Sequence, residues 1–426
     1  MLRLDCLPPV LAARTRGARA PQLTRRLAPV LAQVLVVTVL ACGKDAESPT
    51  GPESVALEAT QTLAGASAPL SLRMVSAGSV HSCGLTAANE AYCWGAGGSG
   101  QLGDGTTTNR PRPAPVAGGL RFIQVSAGGN HTCGVTAANL AYCWGENLKG
   151  KLGDGTITQR AMPVAVLGAH RFRTVRAGGR HTCGVTLDNV AYCWGSNTEG
   201  QVGDSSDAGG RRRPVRVAGG LSFRHVDPGA SHTCGVTTND KAYCWGYGGV
   251  GQIGDGKTVS ERHWPRAVAG GLSFRLVSVG GAHSCGLTRE DRAYCWGANI
   301  DGRLGDGTNT GRLKPVAVAG GRRFNRLSAG QVHTCALNSA DRAYCWGNNT
   351  AGQLGDGATI NRSVPVLVSG GLQIASLSAG GISELGHTCG VTVANSGYCW
   401  GSNLIGQLGD GTTTDRSTPV PVIGPS

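Results

Sequence analysis

The chain has 426 residues, of which 69 are glycine, 15% are charged and 40% are hydrophobic. Interior glycine costs a helix roughly 1 kcal/mol relative to alanine, so the composition argues against long helices, and the hydrophobic content argues against disorder. Glycine does not recur at every third residue, which excludes collagen. Sixteen cysteines and a formal net charge of +13 need an explanation.

The N-terminal segment has the composition of an export signal. Residues 1–41 contain six arginines and one acidic residue, and an apolar run extends from Leu27 to Ala41. This run is too short for an ordinary transmembrane helix, which needs about 20 residues, but it fits the hydrophobic region of a secretory signal. It ends in Leu40-Ala41-Cys42, which resembles the cleavage site of a bacterial lipoprotein. We therefore predict a lipoprotein-type signal peptide over residues 1–41 and lipidation of Cys42. Plain secretion and an uncleaved anchor are the alternatives.

Removal of the signal changes the charge that the folded protein carries. Without its six basic residues and one acidic residue, 33 basic and 25 acidic residues remain, a net charge of +8. A charge this mild over 385 residues does not predict nucleic-acid binding. Residues 42–70 are rich in alanine, serine, threonine, glycine and proline and contain no aromatic residue, so they are expected to form a flexible tether.

The rest of the chain is one unit that occurs seven times. His-Thr/Ser-Cys recurs at intervals of 50 to 54 residues, and Tyr-Cys-Trp-Gly follows it each time. A Gly-x-Leu/Val/Ile-Gly-Asp turn and an Arg-x-x-Pro segment complete each unit. The segments between turns are short and lack a helical period, which predicts an all-β array. The array begins in the middle of a unit at Leu72 and ends near Val422, and each end contains the part of the unit that the other lacks. We therefore expect the C-terminal strand to complete the first blade and close a ring.

These motifs resemble the repeats of the regulator-of-chromosome-condensation family, over residues 71–424. The resemblance implies an all-β, seven-bladed β-propeller of four-stranded antiparallel blades. The plant ultraviolet-B photoreceptor of this family carries a Gly-Trp-Arg-His-Thr motif, but the corresponding segment here reads Gly-Gly-Asn-His-Thr or similar, so photoreception is not supported.

The spacing within each unit predicts a β-hairpin. Cys133 and Cys143 are ten residues apart, so they are directly opposite only if the hairpin loop has an odd number of residues. A three-residue loop would end at Asn139 in the left-handed conformation, and every repeat has Asn or Asp at that position. In this register Gly134 faces Tyr142, and we expect the tyrosine ring to cover the bare backbone.

Opposed cysteines in an exported protein predict one disulfide in each blade. The alternative is seven pairs of reduced, packed thiols. No metal site is predicted, because no Cys-x-x-Cys occurs. The predicted pairs are Cys83–Cys93, Cys133–Cys143, Cys183–Cys193, Cys234–Cys244, Cys285–Cys295, Cys335–Cys345 and Cys389–Cys399.

A residue that is present in every blade most simply serves every blade. The seven motif histidines are therefore expected to be structural hydrogen-bonding groups, with a histidine ring around the central channel as the alternative. The turn aspartates are expected to cap turns, and the arginines to pair with them or to lie on the rim. The seven motif tryptophans are expected in the core of the blades.

Residues that break the repeat are the candidates for function. Nine arginines between Arg171 and Arg224 fall in the third and fourth repeats, and the last repeat carries a four-residue insertion. A solvated face is the alternative interpretation of the arginines. Variable loop tips on a fixed ring are typical binding sites in propellers. The predicted partner-binding residues are Tyr247, Trp264, Arg211, Arg212, Arg213 and Glu384.

The sequence lacks the common catalytic motifs, such as Gly-x-Ser-x-Gly, His-Glu-x-x-His and the P-loop. We therefore expect no enzymatic activity and no cofactor. The main hypothesis is a monomeric, lipid-anchored binding propeller in the cell envelope that recognises a protein or a surface polymer through its loop tips. It would contact the membrane only through the lipid. An exported inhibitor of a hydrolase, similar to a secreted β-lactamase-inhibitor propeller, and an enzyme that uses the channel mouth are the alternatives.

Overall fold

The structure is a computed structural model, and it describes residues 69–383 and 385–425. The predicted signal peptide, Cys42, nearly all of the predicted tether and Glu384 lie outside the described residues. Pro69 and Leu70, which the sequence assigns to the end of the tether, are paired with the C-terminal segment. No helix within the described residues is long and apolar enough to cross a membrane.

The described residues form seven four-stranded antiparallel sheets, each made of four consecutive strands, and they contain no α-helix. Blade 1 contains β1 (Met74–Ala77), β2 (His81–Leu85), β3 (Ala91–Gly95) and β4 (Arg110–Pro115). Blade 2 contains β5 (Phe122–Ala127), β6 (His131–Thr136), β7 (Ala141–Gly145) and β8 (Arg160–Ala165). Blade 3 contains β9 (Phe172–Ala177), β10 (His181–Thr186), β11 (Ala191–Ser196) and β12 (Gly210–Arg216). Blade 4 contains β13 (Phe223–Pro228), β14 (His232–Thr237), β15 (Ala242–Tyr247) and β16 (Glu261–Ala267).

The remaining blades repeat this arrangement. Blade 5 contains β17 (Phe274–Val279), β18 (His283–Thr288), β19 (Ala293–Gly297) and β20 (Arg312–Ala317). Blade 6 contains β21 (Arg326–Ala329), β22 (His333–Leu337), β23 (Ala343–Gly347) and β24 (Arg362–Leu367). Blade 7 contains β25 (Ile374–Ile382), β26 (Leu385–Thr392), β27 (Gly397–Gly401) and β28 (Arg416–Pro421). Two short 3₁₀ helices span Leu148–Gly150 and Ala319–Gly321.

The first strand of each blade lines the central channel, and the connections between strands form two faces. The first-to-second and third-to-fourth connections lie together, as shown by the hydrogen bond from the backbone N–H of Glu146 to the carbonyl of Asn130 (2.8 Å). We call this side the tip face. The second-to-third hairpins and the blade-to-blade connections lie together on the other side, where the N–H of Phe122 donates to the carbonyl of Asn89 (2.9 Å). We call this side the hairpin face.

The predicted hairpin is confirmed in every blade. Cys133 lies directly opposite Cys143, and Gly134 lies opposite Tyr142. The loop residues with positive φ are Asn89, Asn139, Asn189, Asp240, Asp291, Asp341 and Asn395. The expectation that the tyrosine covers the glycine is wrong. A Cβ on Gly134 would lie 2.5 Å from the Phe122 ring, which packs edge-on against Tyr142, so the covering ring comes from the first strand of the blade.

The seven predicted disulfides are all present, one in each blade. The paired Cα atoms are 4.0 to 4.1 Å apart, as expected of residues directly opposite on neighbouring strands. Every cysteine in these pairs is fully buried.

The hydrophobic core consists of seven layers between neighbouring blades. Trp144 of blade 2 packs against Cys93 and Leu102 of blade 1, and the other motif tryptophans occupy equivalent layers. The glycine before each turn aspartate permits this contact, because a Cβ on Gly103 would lie 2.5 Å from the Trp144 indole nitrogen. The tryptophans therefore hold blades to one another, whereas the sequence placed them in the core of the blades.

The ring closes where the two ends of the described chain meet. Leu70 donates a backbone hydrogen bond to Val422 (3.0 Å), and Leu72 donates one to Asn395 (2.8 Å). The C-terminal segment thus takes part in closure, but it does not complete the first blade. Blade 1 has its own four strands because Met74–Ala77 pairs directly with β2, and β28 belongs to blade 7.

Candidate functional site on the tip face

The turn aspartates and the arginines that follow them form one ion pair in each blade. In blade 1, Asp104 accepts hydrogen bonds from the hydroxyl (2.8 Å) and the N–H (3.0 Å) of Thr106 and from Arg110 Nε (2.9 Å). Burial raises the pKa of this carboxyl, but the hydrogen bonds from Thr106 and Arg110 together lower the pKa by more than burial raises it, so the net shift is downward. These residues are structural, as expected.

The seven motif histidines form a closed ring of hydrogen bonds that links every blade to the next. His81 Nε2 lies 2.8 Å from the hydroxyl of Thr132, which donates to the carbonyl of Gln101 (2.8 Å). Because the hydroxyl proton is used by the carbonyl, the imidazole donates through Nε2–H. The last link joins His387 Nε2 to the Ser82 hydroxyl (2.9 Å).

These histidines are fully buried and do not line the channel, so the structural interpretation is confirmed. Their Nδ1 atoms have no hydrogen-bond partner among the described residues. Burial lowers the pKa values of His81, His181, His232 and His333 to about 3 and that of His387 to about 4. Burial also holds those of His131 and His283 well below the ordinary value.

A belt of small polar residues surrounds the channel, which has a volume of about 110 Å³. In most blades a serine on the first strand accepts a hydrogen bond from a backbone N–H of the next blade, for example Ser126 from Ala177 (3.1 Å). Blades 3 and 4 break the belt. In blade 3 Arg176 replaces the serine acceptor. In blade 4 Pro228 occupies the donor position opposite Arg176, and proline has no N–H to donate. Arg176 instead contacts Asp227 at 3.5 Å.

The most asymmetric feature of the tip face is a cavity of about 1030 Å³ beside the channel mouth, which we call the tip cleft. Lys149, Arg180 and Arg212 contribute exposed cations to its wall. None of the three forms an ion pair with any residue in the described part of the chain. Leu148, Ile157 and Ile382 contribute apolar surface and are 64%, 54% and 47% exposed.

A buried lysine forms the floor of the tip cleft. Lys151 is 3% exposed and pairs with Glu146, so the only carboxylate lining the cleft among the described residues is already neutralised. Burial lowers the Lys151 pKa, Glu146 raises it, and the charge of Arg180 lowers it again, with a net downward shift. The described residues of the cleft therefore present a net positive wall to a ligand.

The insertion in blade 7 extends the hairpin of β25 and β26 toward the same cleft. Gly381 pairs with Gly386, and Ile382 pairs with Leu385, beyond the point where the other blades turn. The extension places Ile382 in the cleft wall opposite the tips of blades 2 and 3.

The structure separates the residues that the sequence grouped as a binding patch. Of the three consecutive arginines, only Arg212 lines the tip cleft. Arg211 pairs with Asp204 as the ordinary turn partner, and the Arg213 guanidinium packs beside Gly155.

Two more of the predicted binding residues lie on blade 4, and the remaining one, Glu384, lies outside the described residues. Tyr247 ends β15 and packs over Gly249, while Trp264 lies on the outermost strand, 48% exposed, with Arg266 above its ring at 5.6 Å. Neither residue lines the cleft. The arginine cluster of the third and fourth repeats is also divided, because Arg180 lies on the tip face whereas Arg173 donates to the carbonyl of Leu187 on the hairpin face (3.1 Å).

Lys151 was missed as a candidate, and Arg180 was recognised only as a member of the arginine cluster. A column-by-column comparison of the repeats would have singled out both. Lys151 occupies a position that is glutamine in most repeats, and Arg180 is the only charged residue at the position before the motif histidine. No cluster of three or more potential metal-ligating side chains occurs in the described part of the chain.

The fold and cleft define this protein as a seven-bladed propeller with an asymmetric, basic cleft on its tip face. Its sequence matches the RCC1-like domain over residues 90–425 and the regulator of chromosome condensation (RCC1) repeat over residues 75–101. The chain therefore belongs to the RCC1-like domain family, and the resemblance seen in the sequence is confirmed.

Individual relatives share the repeat at low identity. The chain is 30% identical to the ultraviolet-B receptor UVR8 of Arabidopsis thaliana over 104 residues, which are 24% of this chain and 23% of the receptor. Human WBSCR16 superposes with a TM-score of 0.69 at 20% identity, covering 75% of this chain and 87% of that chain. Prp20p of Saccharomyces cerevisiae, described with its binding to Gsp1p and histones, superposes with a TM-score of 0.67 at 19% identity, covering 79% and 87%. These structures share the propeller fold.

Proposed function

We propose that this protein is a non-enzymatic binding propeller, held outside the cytoplasmic membrane by a lipid on Cys42, that recognises a protein or a surface polymer through the tip cleft. The cleft carries the proposal. It combines exposed aliphatic side chains with three cations that form no ion pair with the described residues, in a cavity of about 1030 Å³ on a rigid ring. Polar and apolar groups arranged in this way around one concavity are typical of a binding site. The protein binding described for Prp20p supports the same use of the fold.

Buried disulfides in all seven blades support export, because such bonds persist in oxidising compartments. The expected N-terminal signal and Cys42 lead to the same compartment. Metabolic labelling with a fatty acid tests the anchor. The wild-type chain should be labelled and fractionate with membranes, and the Cys42→Ala variant should be unlabelled. Label on the variant would contradict the anchor.

The binding role is tested with a charge-reversal variant of the tip cleft, Lys149→Glu/Arg180→Glu/Arg212→Glu. Affinity purification from envelope extracts should recover a stoichiometric partner with the wild-type chain and lose it with this variant. The matched control is Lys241→Glu/Arg292→Glu/Arg326→Glu, which changes the net charge equally on the hairpin face and should retain the partner.

Three results would contradict the proposal. Equal recovery with both variants would show that the cleft is not the binding surface. Inhibition of an exported hydrolase by the wild-type chain would support the inhibitor alternative. Turnover of a substrate by the purified chain, lost in the cleft variant, would establish an enzyme.

A further inference from the structure

The positive charge of the propeller is concentrated on the hairpin face. This face comprises the second-to-third strand hairpins, the N-terminal segment 69–75, and the blade-to-blade connections together with the first two residues of the strand that follows each connection. These segments hold 13 basic and 6 acidic residues, an excess of seven. Residues 42–68 carry a net charge of −3 and residues 69–426 a net charge of +11, so this face holds seven of the eleven excess positive charges of the propeller.

Part of this charge is used within the face. Arg275, for example, donates to Asp291 (2.8 Å) and to the carbonyls of Phe324 (3.2 Å) and Asn325 (2.8 Å). Lys241, Arg292 and Arg326 are exposed and form no ion pair with the described residues. The face thus has free cations on a surface that is braced by other arginines.

Aliphatic side chains project from the same face. Ile123, Leu187 and Val393 are 38%, 52% and 53% exposed, and they lie on blades 2, 3 and 7. Cations mixed with exposed aliphatic groups fit the boundary between lipid headgroups and acyl chains, where each basic residue gains from anionic lipid and each apolar side chain gains from insertion. A soluble polyanion would use only the cations.

The chain also joins the propeller on this face. Leu72 bonds to Asn395 in the hairpin of blade 7, and Arg73 Nη2 donates to Asn89 in the hairpin of blade 1 (2.8 Å). Only 26 residues separate Cys42 from Pro69. A coil of that length would span about 28 Å, so a lipid at Cys42 would keep the hairpin face near the bilayer.

We propose that the hairpin face is a docking surface for anionic phospholipid headgroups, which orients the propeller with its tip cleft away from the membrane. This proposal replaces the expectation from the sequence that only the lipid contacts the membrane. This inference rests on the proposed lipid anchor for its biological setting. The surface interaction itself does not need the lipid, because the arginines and aliphatic groups act directly on the bilayer.

The test uses the mature chain, residues 42–426 with Cys42→Ser, exported behind a plain cleavable secretory signal so that neither the lipid nor residues 1–41 remain, and vesicles of phosphatidylcholine with or without phosphatidylglycerol. The protein should sediment with the anionic vesicles and not with the neutral ones, and salt should release it. Lys241→Glu/Arg292→Glu/Arg326→Glu should lower the partition coefficient roughly 100-fold. Lys149→Glu/Arg180→Glu/Arg212→Glu, the matched change on the tip face, should leave it within about threefold.

A second measurement uses the unmodified surface and does not depend on the folding of a variant. Anionic vesicles should protect Lys241 from an amine-reactive label while Lys149 on the tip face remains reactive. Failure to bind anionic vesicles, equal weakening by both variants, equal protection of both lysines, or stronger binding to a soluble polyphosphate than to vesicles would each overturn the inference. Because these assays need neither the lipid nor a protein partner, their outcome is independent of the tests of the proposed function.

Discussion

The ionisation of the buried histidine ring sets the lowest pH at which the propeller remains stable. Each imidazole donates through Nε2–H and has a buried Nδ1 with no partner among the described residues, so a second proton would create an unpaired charge in the interior. In the unfolded chain the same side chains bind a proton near pH 6.5. A folded pKa below the unfolded value means that stability is complete above about pH 6.5 and declines as the pH falls toward the folded values of about 3 to 4.

The size of this effect follows from the number of histidines in the ring. Lowering the pH from 7.0 to 5.5 costs about 1 kcal/mol of unfolding free energy for each histidine that is protonated only in the unfolded chain, so the seven together lose several kcal/mol. A typical domain is stable by about 5 to 15 kcal/mol, so the loss should be large relative to the total.

Guanidinium unfolding followed by tryptophan fluorescence at several pH values between 7.0 and 5.5 measures this loss. His283→Gln should destabilise the protein at pH 7 and reduce the loss over this pH range by about 1 kcal/mol, because one titrating group is removed. Thr334→Val removes the hydroxyl that His283 contacts at 2.9 Å but no titrating group, so it should lower stability equally at each pH. An unfolding free energy independent of pH in this range, or ring histidines that titrate near pH 6.5 in NMR spectra of the folded protein, would refute the reasoning.

Three further predictions concern the ring. Replacing Cys133 and Cys143 together by alanine should lower the unfolding free energy by about 2 to 3 kcal/mol, because one hairpin loop is freed in the unfolded state; free thiols in a non-reducing peptide map of the wild type would contradict the bond. Gly134→Ala should cost about 1 to 3 kcal/mol in chemical denaturation, since the new Cβ would lie 2.5 Å from a phenyl ring, and an unchanged midpoint would refute that contact. Arg176→Ser should destabilise the channel belt by about 1 kcal/mol, and the added Pro228→Ala change should restore stability by supplying the missing N–H donor; no restoration would show that the belt bond is unimportant.

The repeated part of the structure could be predicted from the sequence because seven copies of the unit have the same type of residue at each structurally restricted position. The Asn or Asp at the end of every hairpin loop fixed the register, and the register placed the cysteines opposite one another. The residue that covers Gly134 was not predictable in this way, because Phe122 lies on a different strand and its ring direction depends on packing. The meeting of the two chain ends at the seam was predicted, but the pairing of the strands there was not. The sequence does not show that β1 pairs with β2 within blade 1.

The candidate site was less predictable, because it is assembled from singular residues of several blades. Arg212 and Arg180 are 32 residues apart in the sequence, yet both line the tip cleft. Adjacent residues can also diverge, as Arg211 shows by pairing with Asp204. Arg211, Arg212 and Arg213 are consecutive on one strand, yet they contact a turn aspartate, the tip cleft and Gly155, respectively. Nearness in sequence was therefore a poor guide to which residues share a surface.

The position of the disulfides has a consequence for how the propeller comes apart. Each of the seven disulfides lies within one blade, so it stabilises that blade but does not join it to the next. The blades are held against one another by the histidine hydrogen bonds and the tryptophan layers. Six boundaries also have a peptide connection, whereas the seam between blades 1 and 7 is held by non-covalent contacts such as Leu70 to Val422. Under mechanical load the ring should therefore open at this seam, while each blade keeps its four strands and its disulfide.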